Sequence, residues 1–125
     1  MSLVVDPLVE RAEELERRGE TMQAGAVARD ALAKLDARGA RESDVIGALR
    51  VLTTVAREPA DFERFVSLAA RDDLTLDEAA RLTAARVREF GDVVLAPLSV
   101  PLRIRLAKRL ERLGDATMAA KVRPA

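Results

Sequence analysis

Leu110-Glu-Arg-Leu-Gly114-Asp115-Ala-Thr-Met-Ala119-Ala120-Lys-Val122 reads as one helix that ends at a glycine and a second that begins at once. Nearly the same phrase stands at Leu15-Glu-Arg-Arg-Gly19-Glu20-Thr-Met-Gln-Ala24-Gly-Ala-Val27, shifted by 95 positions, with Leu, Glu, Arg, Gly, Ala and Val in register. Glycine is the residue that most often stops a helix. A repeated corner predicts a repeated helical hairpin, and with it an all-α fold.

Composition narrows the chemistry. The chain has 125 residues with no cysteine and no histidine, so disulfides, zinc sites, haem ligation, cysteine nucleophiles and imidazole acid-base catalysis are closed to it. Its length suits a single all-helical domain over residues 1–125, able to bury roughly two-thirds of its unfolded surface. No run approaches the roughly 20 apolar residues of a membrane span, and no basic-then-apolar leader opens the chain. The expectation is a soluble, cytoplasmic protein. Its 21 basic and 21 acidic side chains are unevenly spread: residues 1–57 carry a net −1, residues 58–92 a net −4 and residues 93–125 a net +5. A basic end can steer an acidic partner or pair two copies head to tail.

The hairpins are expected at about 7–38, 44–71, 76–98 and 100–123. Asp6-Pro7 supplies an N-cap and a proline at the first helical position, so a first helix runs to about Arg18 with Leu8, Ala12 and Leu15 as its apolar stripe. A second helix, Glu20 to Arg38, turns Ala24, Ala28, Ala31 and Leu35 inward and stops at Gly39. Ser43 or Asp44 caps a third helix that is apolar around much of its circumference and ends before Pro59. Phe62, Phe65, Val66 and Ala69 recur at helical spacing in the fourth, as core. Thr75-Leu-Asp-Glu78 matches a capping box opening the fifth helix at Leu76. Gly91-Asp92 reads as a third corner, followed by a short helical turn before Pro97 and a connector to Ser99, which caps the sixth helix. The seventh runs only from Asp115 to about Arg123, so the final hairpin is cut short.

The sixth helix, Val100 to Leu113, has Leu102, Leu106, Leu110 and Leu113 on one stripe and Val100, Ile104 and Ala107 on another. Two apolar faces imply neighbours on both sides. Between them Arg105, Lys108, Arg109 and Arg112 form a basic stripe, the main candidate surface of the chain. On the third helix Arg50, Thr53 and Arg57 are polar positions that would face a groove.

The corners resemble those of tetratricopeptide-like helical repeats. In the first copy Leu15, Gly19, Met22, Ala31 and Leu35 fall where that family places its leucine, glycine, large, small and large residues. The resemblance covers residues 7–38 and, in part, 100–123. Corner spacings of 40, 32 and 23 residues, from Gly19 through Pro59 and Gly91 to Gly114, depart from the family's period near 34. The family's tryptophan and tyrosines are missing. The resemblance implies stacked antiparallel hairpins that bind a protein or peptide on the concave side, without catalysis; a closed helical bundle is the alternative packing. Leu74-Thr-Leu-Asp-Glu-Ala-Ala-Arg-Leu82 resembles the first helix of excisionase-type DNA-binding motifs, but Thr83-Ala-Ala-Arg-Val-Arg88 continues as helix where that family has a turn.

No enzyme template fits: there is no histidine base for a hydroxyl triad and no Gly-x-x-x-x-Gly-Lys run. Asp72, Asp73, Asp77 and Glu78 lack calcium-loop spacing, and helix capping accounts for them. The expected function is a non-catalytic interaction or assembly scaffold, with no cofactor and no metal, binding a protein or peptide and forming a homodimer through its truncated C-terminal end. The alternative is a nucleic-acid adaptor using the basic stripe. The lack of aromatic stacking platforms speaks against it.

Overall fold

The computed structural model describes residues 6–125. Among these residues there are seven α-helices, one 3-10 turn and no strand. The protein is all-α. Its helices are α1 (Pro7–Arg17), α2 (Thr21–Ala37), α3 (Glu42–Val55), α4 (Pro59–Ala69), α5 (Asp73–Phe90), α6 (Val100–Arg112) and α7 (Ala116–Val122), with the 3-10 turn at Asp92–Leu95. The chain divides into two compact units, one ending at Phe65 and the other beginning at Val66, so the division falls inside α4.

Three corners share one hydrogen-bond pattern. At Gly19 the glycine amide donates to the Glu16 carbonyl and the next amide, of Glu20, donates to Leu15, both at 3.0 Å. Gly114 repeats this with Glu111 and Leu110, and Gly39 with Asp36 and Leu35. The paired bonds satisfy carbonyls that a helix end leaves without partners, and they require the positive φ that these glycines adopt, +63° to +87°. Gly91 does otherwise. It has φ +83° with ψ −172°, its amide reaches back to Val87 at 2.8 Å, and a 3-10 turn follows instead of a helix. Pro97, and Pro101 in the first turn of α6, keep a continuous helix from running from Gly91 into α6. The third copy of the corner is therefore at Gly39 and not at Gly91.

In the first unit, α1 and α2 form an antiparallel hairpin, and Arg38 at the end of α2 reaches Asp6 at the start of α1 at 2.9 Å. Asp6 also caps α1, accepting from the Leu8 amide at 2.9 Å. Contacts between α1 and α3 advance together along both helices: Asp6 with Asp44, Val9 with Gly47, Glu16 with Thr54, each pair 38 positions apart. Those two helices run parallel. The same holds for α2 and α4, where Arg29 meets Asp61 through two bonds of 3.0 and 2.8 Å and Asp36 meets Arg64 through two bonds of 2.8 and 2.6 Å. The alanine face of α2 is fully buried at Ala24 and Ala28, and Val9, Ala12 and Leu15 form the buried face of α1. Phe62 and Phe65 are core.

One local expectation fails here. Neither Ser43 nor Asp44 is the N-cap of α3, which starts at Glu42; Asp44 accepts instead from Arg41 at 3.2 Å and from the Asp6 amide. The cap position falls to Arg41, with no side-chain bond, because Asp44 is drawn to Arg41 and the start of α1. α3 stops at Val55, before Pro59 as expected, and Pro59 opens α4, where its missing N–H leaves nothing unsatisfied.

In the second unit Asp72 caps α5, accepting from the Leu74 amide at 2.9 Å. The capping box expected at Thr75–Glu78 does not form, since α5 has begun at Asp73 and the Thr75 hydroxyl donates to the Ala69 carbonyl at 2.7 Å. Ser99 caps α6 as expected, accepting from the Leu102 amide at 3.3 Å, and Asp115 caps α7. Asp73 with Arg105 and Asp77 with Arg109, both 32 positions apart, make α5 and α6 parallel. α7 folds back antiparallel on α6, and the Arg103 Nε donates to the Val122 carbonyl at 2.9 Å, covering the end of that short helix.

Two outcomes follow from the first unit. A Cβ at Gly47 would lie 2.8 Å from Val9 Cγ1, and valine is stiff at that bond. Gly47→Ala gains about 1 kcal/mol of helix propensity but adds overpacking of about 1–3 kcal/mol, so urea unfolding should show a net loss, relieved when Val9→Ala is combined with it. A Gly47→Ala variant as stable as wild type would refute the close approach. The Arg64 guanidinium, hydrogen-bonded to Asp36, holds that carboxyl below the ordinary carboxylate range. A depressed folded-state pKa means that the unfolded chain binds the proton more readily, so the stabilisation is present above about pH 4 and is lost as pH falls through the folded value. Both side chains are about 40% exposed, 42% and 43%, which keeps the effect to about 0.5 kcal/mol. Wild type should exceed Asp36→Asn in stability at neutral pH, and the gap should close in acid; a gap unchanged with pH would rule the bond out as its source.

Candidate functional site

α6 carries the surface of greatest interest, and its residues divide sharply by environment. At 100° per residue, Leu106 and Leu110 point to the buried side, and Leu102 and Leu113 flank them half-buried. Of the second apolar face only Ala107 is covered: Val100 is 57% and Ile104 38% exposed. Among the described residues the covering on that side stops at Ala107, and Val100 and Ile104, one turn apart, stand open beside the basic stripe.

The stripe itself splits in two. Arg109, its side chain 15% exposed, binds Asp77 at 2.8 Å and Asp73 at 3.4 Å. Arg105 lies 3.5 Å from the same Asp73. These two arginines are held toward α5. Lys108 and Arg112 are exposed, and among the described residues neither has a carboxylate within ion-pair distance. The outer face of α6 therefore reads Val100, Ile104, Lys108, Arg112 in steps of one turn, apolar in its first half and cationic in its second. The acidic groups near this row are already engaged: Glu111, which lies on the same face, by Arg123 at the end of α7, and Asp115 by Arg88 of α5.

The three positions assigned to the third helix do not form a surface together. Thr53 is fully buried and its hydroxyl donates to the Arg50 carbonyl at 3.0 Å, so it faces no groove: α3 is apolar on so much of its circumference that a threonine there packs inward and bonds its own helix. Arg57 is not on α3. It follows the helix end with φ +60°, the single positive φ of a non-glycine among the described residues, a conformation costing about 1 kcal/mol. Arg50 is half-buried, its guanidinium 6.0 Å from the centre of the Phe65 ring.

The acidic cluster at the start of α5 serves the fold. Asp72 is a cap, and Asp73 and Asp77 are ion-paired. No group of three or more side chains able to hold a metal ion lies together among the described residues. None of their helices is long and apolar enough to cross a membrane. The polar cleft between the starts of α1 and α3, lined by Asp6, Arg38, Arg41 and Asp44, has its two arginines already bound to its two aspartates. No protein-family profile, curated protein or solved structure matches the chain.

The split of the stripe has a measurable consequence for stability. Arg109→Ala removes a partly buried, charge-assisted bond and should cost about 1–2 kcal/mol. Lys108→Ala and Arg112→Ala should each fall within about 0.5 kcal/mol of wild type. Chemical unfolding of the three variants tests this, and equal losses at all three positions would contradict the division.

Proposed function

We propose that this protein is a non-catalytic interaction or assembly module that holds a peptide or helix of a partner protein, built as a degenerate tetratricopeptide-like array. The observation that carries the reading is the outer face of α6, where two apolar side chains and two uncommitted cations lie in one row on a capped, well-packed helix. An isolated exposed leucine or valine needs no explanation, but an apolar pair continuous with a cationic pair has the mixed character of a protein-binding surface. Parallel helices in each unit add support, since side-by-side helices at a regular offset are what a repeat array requires.

Nucleic-acid binding is the weaker reading. Two of the four cations of the stripe are already neutralised by Asp73 and Asp77, and the apolar half of the row has no role against a phosphate backbone. Self-association through the C-terminal end is a further reading of the same exposed row.

Affinity capture from a lysate of the source organism, with an unrelated helical protein of matched net charge as control bait, tests the proposal. One or a few proteins should be enriched, and their retention should survive nuclease treatment. Recovery that disappears with nuclease, or no enrichment over the control, would defeat it.

A further inference from the structure

We infer that the outer face of α6 takes an acidic amphipathic helix from a different protein, one that presents two apolar side chains a turn apart followed by two carboxylates a turn apart. The inference rests on the interaction reading above and names the chemistry of the partner.

The chain itself contains the pattern for such a pairing. On its inner edge α6 presents Arg105 and Arg109, four residues apart, to Asp73 and Asp77 of α5, also four apart. On its outer edge α6 presents Lys108 and Arg112, again four apart and exposed, with no carboxylate within ion-pair distance of either among the described residues. A helix carrying carboxylates at the spacing of Asp73 and Asp77 would meet the outer pair as α5 meets the inner one. Val100 and Ile104 continue the row toward the start of α6, so the same helix would bring apolar groups one and two turns away from its carboxylates. The second unit as a whole carries 11 basic and 8 acidic side chains, a charge that favours an acidic visitor.

A second copy of this chain does not supply that helix. Among the described residues, acidic side chains four apart within one helix occur at Glu10 and Glu14 in α1 and at Asp73 and Asp77 in α5. Glu14 is engaged by Arg11 and Arg18, and the α5 pair is the one bound to α6. The carboxylates have to come from another protein. Nucleic acid would use Lys108 and Arg112 but would leave Val100 and Ile104 without a counterpart.

The test uses the full chain and a labelled synthetic probe, an alanine-based helical peptide with two leucines one turn apart followed by two glutamates one turn apart. Fluorescence anisotropy should show it binding about ten-fold more tightly than the same peptide with glutamines, with the advantage shrinking as salt is added. Lys108→Glu/Arg112→Glu should abolish the advantage, and a lysine version of the probe should bind that variant better than it binds wild type. Ile104→Asp should weaken the probe about ten-fold with the helical circular dichroism unchanged. The proposal is overturned by equal affinity for glutamate and glutamine probes, by variants that bind as wild type does, by displacement of the probe by an oligonucleotide, or by self-association that the charge reversal removes. Repeating the lysate capture with the charge-reversed variant separates this claim from the broader one. Partners retained by both proteins leave the interaction module standing and remove this face as its site; no partners with either removes both.

Discussion

Each corner glycine is followed by an amide that donates to the carbonyl of a leucine five positions back, and that leucine is buried: Leu15, Leu35 and Leu110. The bond fixes where the helix stops, and the side chain below it fixes which way the stop faces the core. Direction of the next helix is thus set by a local hydrogen bond tied to a packed residue, and errors at one corner would rotate everything beyond it. Gly91 lacks the arrangement, and there the chain makes a 3-10 turn and a proline-bounded connector before α6 can start. The return path is what lets α6 lie parallel to α5 rather than antiparallel to it.

With directions set by corners, register between parallel helices is set by charge and by close approach. Arg29 with Asp61 and Arg64 with Asp36 are reciprocal: each of α2 and α4 gives one arginine and receives the other. Their worth differs. Asp61 is 8% exposed at its side chain, so removing Arg29 would leave a carboxylate with little water, whereas the Asp36–Arg64 pair is open to solvent and contributes less. Geometry specifies the register at both, but only the first penalises a wrong register heavily. At Gly47 the missing Cβ does similar work for α1 and α3, since a sliding of one residue would bring a side chain against Val9.

The helices, their approximate limits and their buried faces were legible in the residues because each rests on local information: Asp6-Pro7, the corner glycines, Ser99, and apolar spacing that puts Ala24, Ala28, Ala31 and Leu35 on one side. The failures lie where a second group, near or distant in sequence, competes for the capping side chain. Asp44 has the chemistry of a cap but is claimed by Arg41 and the amide of Asp6; Thr75 has it too but finds the Ala69 carbonyl. On α6 the angular position of every side chain could be read, yet nothing local distinguishes Arg105 and Arg109 from Lys108 and Arg112. Their difference is the identity of the neighbouring helix, which lies 32 positions away in sequence. Thr53 was misread for a related reason, since a lone hydroxyl on an apolar helix is as easily satisfied by its own backbone as by solvent.

The core is poor in aromatic residues and rich in alanine, with three phenylalanines in the whole chain, and this bears on how such a molecule can recognise anything. Small side chains bring backbones close and leave little freedom to repack, so its helices cannot reshape themselves around a partner as methionine- or loop-rich surfaces do. The recognition proposed for this fold would use rigid rows of side chains presented at helical spacing. Along α6 the row changes character midway, and a surface that is apolar at one end and cationic at the other distinguishes the two orientations of a bound helix: reversing the visitor places its carboxylates on Val100 and Ile104 and desolvates them without compensation. On the proposed reading, the asymmetry of that row, more than its charge or its apolar area taken separately, would make binding at α6 directional.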